Sequence, residues 1–116
     1  MTARVAKFVK METTLTFLHV FFKDVIYLSP VLLSLLALIC GIGVTIGKIE
    51  GWSIGTAIYH AFINATTVGY GDFHPTRPAS RVLSVINALI GLLLTGVFVG
   101  VAVHSIELAV LTNPKP

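Results

Sequence analysis

The residues richest in chemical possibility are Ala65-Thr66-Thr67-Val68-Gly69-Tyr70-Gly71-Asp72. Their chemistry lies in the backbone. Gly69 and Gly71 alternate with larger residues, and glycine adopts left-handed dihedrals without steric cost. A strand that alternates left- and right-handed residues turns successive carbonyls toward one side. Four such strands around an axis stack rings of neutral oxygens, hard ligands suited to group 1 and 2 cations. A tight turn between helices would have no need of the Thr-Thr-Val that precedes the glycines.

The elements around this segment fit that chemistry. Val25 to Gly47 and Val82 to Ile106 are long apolar runs without a formal charge. About 20 apolar residues cross roughly 30 Å of hydrocarbon, so both are long enough to span a bilayer. Pro30, one turn inside the first run, is tolerated there because the first N–H groups of a helix lack helical partners. Gly41, Gly43 and Gly47 allow close approach of a neighbouring helix. Between the runs, Trp52 to Asn64 is too apolar for a solvated loop. Ser53 is a plausible N-cap, and residues 54–66 read as a helix of about 20 Å, too short to span but long enough to enter and stop midway. Irregular backbone at that depth leaves carbonyls unsatisfied unless it lines a wet cavity or binds something, and a cation can take the place of the missing donors.

The composition agrees with lipid as the solvent. Hydrophobic residues make up 55% of the 116-residue chain and charged residues 11%, against roughly 25% charged in a soluble domain. The net charge of +3 comes from scattered Lys and Arg rather than a basic run, which excludes nucleic acid as a partner. Arg4, Lys7, Lys10 and Lys23 precede the first span and Lys115 follows the second, five against three (Lys48, Arg77, Arg81) in the connection, so both termini are expected in the cytoplasm. Residues 1–24 read either as a helix in the membrane interface, with Leu15, Leu18 and Phe22 on one face, or as an extension of the first membrane helix. They lack the cleavage site of a signal peptide. Cys40 reads as a small apolar filler. No His, Cys or carboxylate set has metal-site spacing and no nucleophile–base pair is evident, so the chain is not read as an enzyme.

Thr66-Thr67-Val68-Gly69-Tyr70-Gly71-Asp72 resembles the selectivity filter of potassium channels. The order of helix, short helix, filter and helix over residues 25–110 resembles the prokaryotic two-transmembrane members of that family. The resemblance implies an all-α membrane protein: a cytoplasmic or interfacial segment (1–24), a pore domain with membrane helices at 25–47 and 82–107, a re-entrant pore helix at 54–66 and a filter at 67–71, then a tail (111–116). It implies K+ bound by the Thr67 side chain and the carbonyls of Thr67, Val68, Gly69 and Tyr70. Gly71 and Asp72 form the outer mouth, with Val68 and Tyr70 packed behind the filter. Thr66, Tyr59 and Ile63 belong to the filter's support. The chain departs from the family here: Tyr59 and His60 stand where tryptophans are common, and Ile63 where some members bury an acid. Tyr70 argues for potassium over sodium.

The second membrane helix lines the cavity below such a filter. Gly91 falls where the family often has a hinge, with small-residue packing as the alternative reading. Thr95 faces either the cavity or its own helix's carbonyl. Asn87 is expected to join neighbouring helices. His104 and Glu107, three apart near the cytoplasmic end, form either a pH-sensitive inner gate, opened by repulsion between protonated imidazoles, or an interfacial pair ending the span. One filter strand cannot encircle an ion, so the implied unit is a homotetramer in the plasma membrane, contacting lipid and conducting K+ passively. No arginine-rich voltage sensor is present. The alternatives are the pore module of a larger ligand-gated channel whose regulatory domain lies elsewhere, and a non-conducting membrane anchor or partner subunit.

Overall fold

In a computed structural model that describes residues 2–113, the chain folds as four helices: α1 (Ala3–Tyr27), α2 (Ser29–Glu50), α3 (Ile54–Ala65) and α4 (Pro78–Thr112). No β-ladder is present among the described residues. Both α2 and α4 are long and apolar enough to cross a membrane. The expected tail at 111–116 lies partly within α4, and residues 114–116 fall outside the described chain.

The boundaries differ from the sequence reading for physical reasons. The first membrane-length helix starts at Ser29 rather than residue 25. Pro30 has no N–H to offer the Ile26 carbonyl, and α1 closes instead through the Leu28 N–H, which reaches the Asp24 and Ile26 carbonyls. Pro30 then occupies the first turn of α2. At the other end α2 continues to Glu50, and α4 runs from Pro78 to Thr112, past the charges at 81 and 107. Charged residues at water level limit an apolar run but do not break a helix. Apolar side chains lie on all sides of α1 and none is buried, so Leu15, Leu18 and Phe22, all exposed, do not mark off a single apolar face.

The chain divides into two units. One comprises α1 and α4 from Val97 onward. There Asn113 Nδ2 donates to Thr16 Oγ1 at 3.0 Å, and His104 Nε2 lies 3.7 Å from Asp24 Oδ2. Residue numbers rise along one helix as they fall along the other, so the two run antiparallel. Val101, Ser105 and Ala109, spaced four apart, are the buried stripe of α4 here.

The second unit, Pro30–Gly96, holds the short helix. The face of α2 that carries Leu32, Leu35, Ile39, Gly43, Ile46 and Gly47 is buried. α3 buries Ala57, His60, Ala61 and Ala65. Ile39, Ala61 and Ala65 form a core against which Ile90 and Leu94 of α4 pack. Small residues let these helices meet closely: a Cβ on Gly43 would collide with the Ala61 side chain, and one on Gly91 with the Ala65 backbone. Asn87 is fully buried, and its Nδ2 donates to the Ala61 carbonyl at 3.1 Å, joining α4 to α3 as expected of it. Asn64 Nδ2 donates to the Ser84 carbonyl at 2.7 Å.

Glu50 has a larger part than its place at the end of an apolar run suggests. Its Oε1 accepts from the backbone N–H groups of Thr76 and Arg77, each at 2.9 Å, and from the Ser80 hydroxyl. Its Oε2 accepts from Thr76 Oγ1 at 2.7 Å. A carboxylate from the end of α2 thus holds the two residues that lead into α4, at a helix N-terminus whose dipole favours negative charge. Glu50→Ala is expected to lower the thermal midpoint by about 5 °C or more, read by circular dichroism in detergent. Glu50→Gln should recover part of that loss.

Candidate functional site

α3 opens at Ser53, whose Oγ accepts from the Thr56 N–H at 3.2 Å, and it ends at Thr66. The Thr66 N–H and hydroxyl both donate to the Phe62 carbonyl, at 2.9 and 2.7 Å. The last helical residue is therefore Ala65, one before the expected end. The chain then leaves the helix through two bonds, from the Thr67 N–H to the Asn64 carbonyl and from the Gly69 N–H to the Ile63 carbonyl, both 3.2 Å. Ile63, half-buried, supports the segment by its backbone.

From there the backbone alternates in hand. Positive φ occurs at Thr67 (63°), Gly69 (56°) and Gly71 (79°), every second residue. Glycine takes this conformation freely, whereas threonine is strained by it. Among the described residues, no hydrogen bond reaches the carbonyls of Thr67, Val68, Gly69 or Tyr70, while the Gly71 carbonyl lies 3.3 Å from His74 Nδ1. Four consecutive carbonyl oxygens are thus left for another partner. The Val68 and Tyr70 side chains, 50% and 72% exposed, have little cover in their own chain.

Aromatic residues frame the end of the strand. The Tyr59 hydroxyl donates to Asp72 Oδ2 at 2.9 Å, and Asp72 Oδ1 accepts from the Phe73 N–H at 3.1 Å. The bond to the carboxylate pushes the Tyr59 phenol above its ordinary value, so it stays protonated as the donor. Trp52 packs on His60 and Phe73, with ring centres 5.0 and 5.8 Å apart, and Tyr59 meets Phe73 edge-on. Burial pushes the His60 imidazole below its ordinary value, outweighing the opposite pull of Asp72 and Glu50.

The remaining expected residues lie on α4. Gly91 is buried against the Ala65 backbone, a packing contact. Thr95 is exposed and makes none of the i−4 hydroxyl bonds seen at Thr45 and Thr112, so the reading in which it bonds its own helix is not the conformation present. His104 meets Asp24 of α1, and no bond joins it to the exposed Glu107. Sequence reasoning did not find the Glu50 bonds, the Asn64–Ser84 bond or the His104–Asp24 contact. Each links residues at least 20 positions apart, and none leaves a periodic signal.

Two membrane-length helices flank a short helix and an exposed segment of unpartnered carbonyls. Over residues 14–107 the chain matches the family described as "Ion channel", and it belongs to that family. It is 40% identical over 53 residues to the TWiK family of potassium channels protein 7 of Caenorhabditis elegans, covering 46% of this chain and 10% of that one. It is 30% identical over 64 residues to a voltage-gated potassium channel of Aeropyrum pernix, covering 55% of this chain and 22% of that one. The matched regions are thus about a tenth and a fifth of those relatives' lengths. No solved structure matches the chain significantly.

Proposed function

We propose that this chain is a pore-forming subunit of a potassium-selective channel that conducts K+ passively through a homotetramer. The observation that carries the proposal is the run of four unpartnered carbonyls, Thr67 to Tyr70, on a strand of alternating hand. One strand offers one oxygen per level, so four copies around an axis are needed to replace an ion's hydration shell. The Thr67 hydroxyl adds the innermost ligand, and Gly71 and Asp72 form the mouth. Neighbouring copies would also cover Val68 and Tyr70, whose exposure in one chain leaves apolar surface beside the strand. Both named relatives are potassium channels, which supports K+ as the permeant ion.

α3, with 12 residues and a length of about 18 Å, enters the membrane and returns through the filter. Its C-terminal end carries negative partial charge toward the ion. The protein resides in the cell membrane with both termini cytoplasmic. Gly91 serves as packing point and hinge, Thr95 faces the cavity, and the gate lies at His104 and Glu107. Asp24 beside His104 gives a protonated imidazole an attractive partner as well as like-charged neighbours.

With no acid at Ile63, the Tyr59–Asp72 bond is the side-chain brace between α3 and the mouth. Tyr59→Phe is expected to leave the fold intact and to speed the decay of K+ flux several-fold, followed in a planar bilayer. Unchanged decay would remove Tyr59 from the filter's support.

The proposal is tested with purified protein in liposomes loaded with K+, with a proton ionophore supplying the counter-current and external Ba2+ as blocker. Ba2+-sensitive flux from K+-loaded vesicles, with little from Na+-loaded ones, is the expected result. Equal flux of both ions would overturn the selectivity. Absence of flux across a range of pH and potential would overturn conduction by this chain alone.

A further inference from the structure

Spacing along the chain groups none of the four histidines into a metal site, and among the described residues no three His, Cys, Asp or Glu side chains converge. Folding nevertheless brings two of the four onto one cavity. It lies within the Pro30–Gly96 unit, has a volume of about 150 Å3, and His60, Asn64, Gly69, Gly71 and His74 form part of its wall.

His60 is the unusual member. It is 6% exposed, and its Nδ1 is buried with no hydrogen-bond partner. Nδ1 is closed off from the cavity, so Nε2 is the ring nitrogen that can face it, and in the tautomer with the proton on Nδ1 it carries an open lone pair, the form that binds metal ions. His74 approaches from the loop after the filter. Its Nδ1 lies 3.3 Å from the Gly71 carbonyl, so an Nδ1–H donated there leaves Nε2 as a second open lone pair. An imidazole oriented through one nitrogen by a backbone carbonyl is the usual arrangement of a metal-binding histidine.

We propose that this cavity is a reversible binding site for a divalent transition-metal ion of the Zn2+ and Ni2+ class, held by His60 and His74 with water completing the coordination. Imidazole nitrogens suit these ions, whereas Mg2+ and Ca2+ require oxygen ligands. At about 30 Å3 per water, the cavity has room for an ion with its remaining waters. Two protein ligands leave the coordination open, so the ion exchanges, in contrast to a closed four-ligand structural site. Gly69 and Gly71 share the wall, so a bound ion lies against the strand assigned to the filter. Binding itself does not depend on that assignment.

The chain contains one tryptophan, Trp52, and its ring centre is 5.0 Å from that of His60. Ni2+ bound at His60 therefore quenches Trp52 emission, and Zn2+, which does not quench, competes it away. The test is a Ni2+ titration of the purified full chain in detergent at neutral pH. Saturable quenching reversed by Zn2+ is expected. His74→Gln, at an exposed position that leaves the fold undisturbed, should raise the half-quenching concentration at least about tenfold. His19→Gln and His104→Gln should leave it unchanged. A quenching curve that does not saturate, that Zn2+ does not reverse, or that His74→Gln does not shift would overturn the proposal. Because the readout is binding, it is decided whether or not the protein conducts.

Discussion

Gly69→Ala is expected to reduce K+ flux from liposomes to background while leaving the helical content of the protein unchanged. Gly69 has φ of 56°. An L-residue held in the left-handed region costs roughly 1–2 kcal/mol, and in the proposed homotetramer that becomes about 4–8 kcal/mol per pore. Thr67 already bears such strain one step earlier in the strand, at 63°. A second strained residue two positions on leaves the alternating hand poorly supported. The strand can relieve the cost by rotating a peptide unit, which turns a carbonyl away from its neighbours and removes one level of ligands. The four helices are hydrogen-bonded without reference to φ at residue 69, so circular dichroism should not change. Wild-type flux in Gly69→Ala would show that the alternation is not what conduction requires.

Gly91→Ala is expected to destabilise the protein, and the sign of the effect separates two roles for this residue. A Cβ at position 91 would run into the carbonyl oxygen, Cα and carbonyl carbon of Ala65. These are backbone atoms at the end of α3 and cannot rotate aside. Overpacking of this kind costs about 1–3 kcal/mol or more, and it displaces the last residue of α3, two positions before the segment proposed as the filter. If Gly91 served only to let α4 bend, alanine would remove a poor helix former and stabilise the helix by about 1 kcal/mol. Thermal unfolding followed by circular dichroism reads the difference: a lower midpoint indicates packing, a higher one bending alone. Gly96→Ala is the control, since a Cβ there meets nothing within 4 Å in its own chain.

What the sequence made legible was local. Two apolar runs gave the membrane-length helices, and Ser53 marked the start of α3. The glycine alternation pointed to positive φ at residues 69 and 71, but nothing in it marked Thr67, because threonine seldom takes that conformation. The ends of α4 were missed by four residues before and five after. Arg81 and Glu107 bound a hydrophobic stretch, whereas Pro78 at the first helical position and the Glu50 bonds set where the helix begins. Glu50 itself read as a charge closing a span, and its partners at 76, 77 and 80 belong to a contact only folding creates. With 13 residues between His60 and His74, no spacing rule joins them. They share a cavity because the chain returns past α3 after Gly71.

The account rests on Thr67 to Tyr70 being the path of a potassium ion, and a bi-ionic reversal potential tests this most directly. Purified protein in a planar bilayer would face K+ on one side and Na+ on the other at equal concentration. Conduction past stacked carbonyls predicts a reversal potential displaced strongly in the direction of K+ selectivity. A reversal potential near zero in the wild-type protein would contradict it, because a pore that passes both ions alike does not take its selectivity from this strand.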